Sequence, residues 1–386
     1  MTAQVKTGLI VKQDFFVVEL FAGAGGLALG LEKAGFKTLA TVENNKWACE
    51  TLRKNRPNWN ILEEDVIKIA EKGIKKYLKN PDIDIDLLSG GYPCQAFSYA
   101  GKKLGLEDTR GTLFYSFAEI LKELKPKMFL AENVKGLVSH DGGRTLQTMI
   151  DVFSEVGYKV YFKVLNSNDF DVAQKRERIV IVGVREDIRE KIGFDYIFPK
   201  PKEKKLVLKD ILQNVPSSLC ASYNDRKKEI FALVPQGGCW RNLPEDIAKE
   251  YLGGSYHLGG GKTGIARRMS WHEAGLTVLC SPAQKQTDRC HPDELRPFSV
   301  RENARIQSFP DDWEFVGSMA EQYKQIGNAV PVNLAYHIGL SIKNYINAKK
   351  KLRYLGGNIV AKKELNKLGA IITYSTNRLL IIWSVL

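Results

Sequence analysis

The first half of the chain alternates apolar runs of strand length with apolar positions at helical spacing. Phe15 to Leu20 is a buried-strand pattern. It runs into Phe21-Ala-Gly-Ala-Gly-Gly, and a helix follows to about Ala34, where Gly35 ends it. Lys37 to Glu43 reads as a second strand finishing on an acid, and Glu64-Asp65-Val66 closes a third strand-like stretch. Asp82, Asp84 and Asp86 alternate with Ile83, Ile85 and Leu87, which predicts a short strand over residues 83–88 leading into Gly90-Gly91. Leu113 to Leu124 is an amphipathic helix broken by Pro126, and Met128 to Ala131 is a strand delivering Glu132-Asn133-Val134 at its end. Tyr158 to Val164 and Ile179 to Val184 read as strands on either side of Gln174-Lys-Arg-Glu-Arg178. Helices between strands, with polar residues gathered at strand ends, predict an α/β, doubly wound sheet with its site along one edge.

Beyond about Asp195 the rhythm is lost. Pro199, Pro201, Pro216, Pro235 and Pro244 punctuate short segments, and Gly253-Gly254 and Gly259-Gly260-Gly261 make loops. Residues 196–305 are therefore expected to form a second, smaller domain, mostly β or irregular. The first domain is expected to comprise residues 1–195 and 306–346. Near their junction Ser299 is a candidate N-cap, with Glu302 closing a capping box. Gln325 to Pro331 opens an amphipathic helix to about Ile346, and residues 347–386 form a basic, peripheral tail.

Charge sharpens this division. Residues 196–305 carry 18 Lys or Arg against 12 Asp or Glu, and residues 345–386 carry 8 against 1, whereas residues 1–195 are nearly balanced at 29 against 27. An excess confined to the middle and the tail suits a polyanionic partner. The six cysteines show no CxxC spacing, and Cys280, Cys290 and His291 lack an evident fourth ligand, so no metal is expected. Free thiols, no apolar signal core and no run of 18 apolar residues lead to the expectation of a cytoplasmic protein away from the membrane.

Two stretches carry candidate chemistry. Gly23-x-Gly25-x-x-Ala28 fits the fingerprint of a nucleoside-containing cofactor, and Glu43 lies where an acid would accept from ribose hydroxyls. NAD and S-adenosylmethionine both remain open on these residues alone. Cys94 follows Gly90-Gly91 and Pro93 at a predicted strand end, well placed for attack on something over the sheet edge. The polar, Gly-rich residues 98–111 are a candidate lid.

Assembled, these motifs resemble the DNA (cytosine-5)-methyltransferases, in particular the single-chain modification enzymes of bacterial restriction-modification systems. Phe21-Ala-Gly-Ala-Gly-Gly resembles their S-adenosylmethionine loop, Pro93-Cys94-Gln95 their nucleophile motif and Glu132-Asn133-Val134 their base-clamping motif. Gln174-x-Arg176-x-Arg178 and Gly327-Asn328-Ala329-Val330 also stand in the family order. Asn44 occupies a position where some members carry an aromatic residue that stacks on adenine.

The resemblance implies a Rossmann-like S-adenosyl-L-methionine-dependent sheet domain with a target-recognition domain. It implies methyl transfer to C5 of a cytosine in a short double-stranded DNA sequence, with S-adenosyl-L-homocysteine as product. Cys94 would add to C6 of a flipped base, Glu132 would hold the amine and N3, Arg178 the O2 and Arg176 a nearby phosphate. Phe21, Gly23, Ala24, Gly26, Glu43, Asp65, Val66, Gly91, Pro93, Leu113, Asn328 and Ala329 would bind the cofactor. Gln95, Ser98, Arg110, Asn133, Gln174, Arg267, Arg268 and Thr277 would meet DNA. A monomer is expected, with a cognate restriction endonuclease as a genetic rather than physical partner, in a bacterium or archaeon. A tRNA substrate and a catalytically dead DNA-binding relative are the alternatives.

Overall fold

The computed structural model describes residues 14–92, 113–257, 264–284, 287–355, 370–375 and 378–383, with side chains as far as residue 348. In chain order the first part comprises β1 (Phe15–Leu20), α1 (Gly26–Ala34), β2 (Phe36–Glu43), α2 (Lys46–Asn55), β3 (Ile61–Glu63), α3 (Val66–Lys72) and β4 (Leu87–Gly90). There follow α4 (Leu113–Leu124), β5 (Met128–Val134), α5 (Arg144–Glu155), β6 (Tyr158–Asn166), β7 (Gln174–Lys175), β8 (Glu177–Arg185) and α6 (Glu186–Ile192). Seven of the strands form one sheet in the order β3-β2-β1-β4-β5-β8-β6. The pairs from β3 through β5 are parallel, and β8 runs antiparallel to both β5 and β6. The order reverses direction between β1 and β4, the point where a doubly wound sheet opens a crevice at its strand ends.

The expected strand over residues 83–88 begins later, at Leu87, because the acids before it are anchors rather than a solvent face. Buried Asp86 accepts from Phe16 N–H at 2.8 Å and pairs with Lys127 Nζ at 2.7 Å, while Lys127 also reaches Asp84. Helices α4 and α5 cover one sheet face through edge-to-face rings that link Tyr92, Phe114, Phe117, Phe129 and Phe153. Such contacts fix ring orientation as well as burying area.

The middle segment contains α7 (Leu208–Ile211), α8 (Asp225–Ala232), α9 (Glu245–Leu252) and the two-residue strands β9 (Arg267–Arg268), β10 (Gly275–Leu276) and β11 (Arg289–Cys290). It is irregular, as expected, though its longer regular pieces are helical rather than β. Tyr223, Ile230, Phe231, Val234, Leu252, Ile265 and Cys290 form its own small core. Leu208, Met269, Val278 and Phe298 instead share a cluster with Ala22 and Leu29, so the segment's flanks belong to the sheet side.

The chain returns through α10 (Val300–Ile306), α11 (Met319–Asn328) and α12 (Val332–Leu355). The Ser299–Glu302 capping box is formed. The single helix expected after Gln325 is two helices divided at Ala329-Val330-Pro331, and the second continues past Ile346 to Leu355. Helix α12 lies against α1 on the second sheet face. At Gly30 an added Cβ would stand 2.4 Å from Ala335 Cβ and 2.5 Å from Val332 O, so only glycine permits this approach. In the tail, β12 (Ala370–Ser375) and β13 (Arg378–Trp383) pair as an antiparallel hairpin. No helix among the described residues is long and apolar enough to cross a membrane.

Candidate active site

A cavity of about 780 Å³ opens over the C-terminal ends of β1, β2, β4 and β5. Its volume is ordinary for a small-molecule site. The turn after β1 contributes Phe21, Gly23, Ala24 and Gly26. Phe21 has φ 56°, a strained value for a bulky residue, and Gly23 has φ 52°. A Cβ on Gly23 would meet no atom within 4 Å, so the glycine leaves backbone open to a ligand. Glu43 closes the same turn: its Oε2 accepts from Gly23 N–H at 2.8 Å and its Oε1 from Asn44 and Asn45 N–H. Asp65 caps α3, its Oδ1 accepting from Ile67 N–H at 2.8 Å, and lines the cavity beside Val66.

These residues suit a nucleoside cofactor. Two carboxylates on strand-end turns stand beside apolar walls from Leu27, Val42 and Val66, and no bulky side chain fills the gap above Gly23. Leu113, Asn328 and Ala329 line the same space.

Deeper in the cavity, Glu132 lies within β5 rather than beyond it; its cross-strand partner on β8 is Val180, two residues after Arg178. Arg178 Nε stands 3.1 Å from Glu132 Oε1, with the side chains 16% and 13% exposed. Oε1 is buried and, apart from this ion pair, has no hydrogen-bond partner among the described residues. Burial raises the Glu132 pKa against the opposing pull of Arg178 and Arg176, so it keeps its proton to higher pH than an ordinary carboxyl. Gly91 lies beneath it, where a Cβ would come within 3.3 Å of Glu132 Oε2. Asn133 donates to Tyr92 O at 2.9 Å and so pins the backbone two residues before Cys94. Pro93, Cys94, Gln95, Ser98 and Arg110, with the candidate lid, lie outside the described residues.

Arg176 is buried in the cavity wall. Its Nη1 and Nη2 donate to Val278 O at 3.3 Å and Gly327 O at 3.1 Å, and burial beside Arg178 pushes its pKa down to about 10. These bonds join β8's approach to the return segments and commit both Nη atoms to backbone carbonyls. Thr277 lines the cavity and donates to Lys175 O at 3.0 Å.

Three expected DNA contacts are not brought to the site. Gln174 is wholly buried and braces the wall, donating to Gln307 Oε1 at 2.7 Å and accepting from Val278 N–H at 2.9 Å. Arg267 donates to Gly237 O and Gly238 O and pairs with Glu273. Arg268 donates to the carbonyls of Pro292, Val234, Phe231 and Asp293. Their guanidiniums cap backbone, which a count of basic residues does not reveal.

Three neighbours of Asn328 on the same face of α11, Glu321, Lys324 and Gln325, were missed. Glu321, Lys324, Gln325 and Asn328 all line the cavity at helical spacing, and Cys280 Sγ lies 3.0 Å from Asn328 Oδ1. The i, i+3, i+4, i+7 pattern was present in the sequence, immediately before the Gly327-Asn328 motif.

The model of the C-5 cytosine-specific DNA methylase family matches residues 15–344. The type II methyltransferase M.Sau96I of Staphylococcus aureus is 58% identical over 335 residues, 87% of this chain and 77% of that protein. The type II methyltransferase M.Eco47II of Escherichia coli is 53% identical over 345 residues, 87% of this chain and 81% of that protein. Among solved structures, one from an Escherichia coli prophage, assigned there to the DNA modification methyltransferases, is 26% identical with a TM-score of 0.64. It covers 86% of this chain and 99% of its own.

Proposed function

The chain belongs to the C-5 cytosine-specific DNA methylases, and from that premise we propose that Cys94, Glu132 and Arg178 act together on a cytosine turned out of a short, specific duplex site. The enzyme methylates C5 of cytosine in DNA. Because the family acts on DNA, the tRNA reading is set aside.

The single observation that carries the residue assignment is the Glu132–Arg178 pair facing the same cavity as the Gly23 turn. A cytosine ring is too electron-poor at C5 to react unaided. The Cys94 thiolate, bonding to C6, makes C5 an enamine carbon. Glu132, protonated more readily than an ordinary carboxyl, donates to N3 and relieves the charge that develops in the ring. The Arg178 guanidinium holds the cytosine O2, and buried Arg176 keeps the wall between them rigid. The Gly23 turn, Glu43 and Asp65 would hold S-adenosyl-L-methionine, whose sulfonium would supply the methyl group to C5 and leave as the neutral thioether, S-adenosyl-L-homocysteine. Loss of the C5 proton and departure of Cys94 restore the aromatic ring. Attack above and below the ring plane requires the base to leave the stack.

The names of the relatives support a type II modification role, with a cognate endonuclease as genetic partner. The same reading makes the protein a cytoplasmic monomer whose middle segment reads the site. The test is transfer of tritium from labelled cofactor to DNA. The wild type incorporates label and forms a covalent adduct on 5-fluorocytosine DNA, and Cys94→Ser does neither. Wild-type incorporation by Cys94→Ser would end the assignment.

A further inference from the structure

With Arg267 and Arg268 turned inward, the basic middle segment needs another group to read DNA, and what those two arginines hold indicates which. Both brace the turn Pro235–Arg241. Arg267 caps Gly237 O and Gly238 O, and Arg268 donates its backbone N–H to Gly238 O at 3.1 Å. Gly238 N–H closes the turn on Pro235 O at 2.9 Å, and Asn242 Oδ1 accepts from Cys239 N–H at 2.9 Å. Gly237 has φ 75°, and a Cβ on Gly238 would stand 2.8 Å from Asn242 Oδ1, so both positions require glycine.

The turn is nevertheless exposed at Pro235, Gln236, Gly237 and Arg241. Two half-buried arginines have fixed a surface loop, whereas loops ordinarily keep their freedom.

Next to last in the turn is Trp240, whose backbone N–H is tied to Ile265 O at 3.2 Å and whose ring meets Tyr256 edge-on at 5.9 Å. The Arg241 guanidinium lies over that indole, 5.5 Å from the ring centroid. Arg241 is exposed and has no ion-pair partner among the described residues. The indole face holds this exposed cation at the end of the braced turn, and an arginine fork matches the O6 and N7 acceptors of guanine.

We propose that Arg241, presented on the braced 235–241 turn over the Trp240 ring, is a specificity-determining residue that reads a guanine edge in the duplex recognition site. This rests on the DNA-methylating function given above. The N–H groups of the fork donate to O6 and N7, and Arg267 and Arg268 act through the turn as positioning residues.

The test uses the full-length protein with tritium transfer to a randomised duplex library, the methylated sites being read by bisulfite sequencing. Arg241→Ala and Arg241→Lys are expected to lower kcat/KM on the preferred site roughly 10- to 100-fold and to relax preference at one base-pair position. S-adenosyl-L-homocysteine affinity and Tm should stay at wild-type values in both. If either variant keeps the wild-type site preference, the proposal is overturned. Uniform weakening in Arg241→Ala with recovery in Arg241→Lys would also overturn it, because that marks a phosphate contact. If the wild type itself labels no DNA, the functional reading fails instead.

Discussion

The sheet region and the middle segment are held together by different physics. The sheet's two cores are almost entirely apolar, with side chains such as Val18, Leu20, Phe117, Phe129, Val180 and Val182 at or near zero exposure. The middle segment's small core is surrounded by buried charge: Lys227 pairs with wholly buried Asp288, Arg268 caps four carbonyls, and Arg296 pairs with Glu302. Regular strands and helices satisfy their own backbone groups, so apolar side chains suffice between them. Irregular backbone cannot do this, and arginine donors take over the role. A sheet can therefore host chemistry on exposed strand ends, while an irregular segment must commit cations internally before it can offer any outward.

The largest effect that tests this contrast is catalytic and belongs to the sheet. Glu132→Gln should lower kcat by roughly 100-fold or more while cofactor affinity is retained. Near-wild-type turnover would show that the buried carboxyl is structural. Next comes the middle segment. Lys227→Met leaves Asp288 buried without its cation and should destabilise that segment by about 3–5 kcal/mol. DNA binding should be lost at temperatures where S-adenosyl-L-homocysteine still binds, and simultaneous loss of both would show that the two regions unfold as one.

A smaller effect is expected at the α1–α12 contact. Gly30→Val forces atoms into Ala335 and the Val332 carbonyl and should cost about 1–3 kcal/mol, read as a lower Tm.

The last effect is read as a slope with pH rather than as a loss, and concerns a buried acid within the apolar sheet. Glu19 on β1 is buried between Thr41 and Ser89, and burial raises its pKa to about 8. The folded state therefore holds a proton that the unfolded chain releases near pH 4.5, and stability falls as pH rises from about 5 to 8. Glu19→Gln should flatten that slope in Tm. An unchanged slope would assign the pH dependence to other groups.

Much of the sheet region could be read from the sequence because period and packing agree there. Strand β1 and helix α4 begin and end at the residues their apolar patterns predict. The acidic alternation at residues 82–87 misled because strand period says nothing about whether a carboxylate meets water or a lysine. Glu132 and Arg178 were found through motif order, but their pairing depends on β5 and β8 being antiparallel neighbours, which no local pattern encodes. What Arg267 and Arg268 hold was hidden for a related reason. Charge was visible in the sequence, whereas the carbonyls that consume it come from residues 20 to 40 positions away, brought close only by an irregular fold.

The seam between α1 and α12 also bears on how the protein is made. Lys33 reaches Asn333, 300 positions later, at 3.0 Å, beside the glycine that admits Ala335. During synthesis the first helix therefore waits for nearly the whole polypeptide to leave the ribosome before its apolar side is covered. A gene interrupted before α12 should yield an aggregating fragment rather than a weak enzyme, and supplying the missing C-terminal piece as a separate polypeptide offers a way to switch methylation on by reassembly.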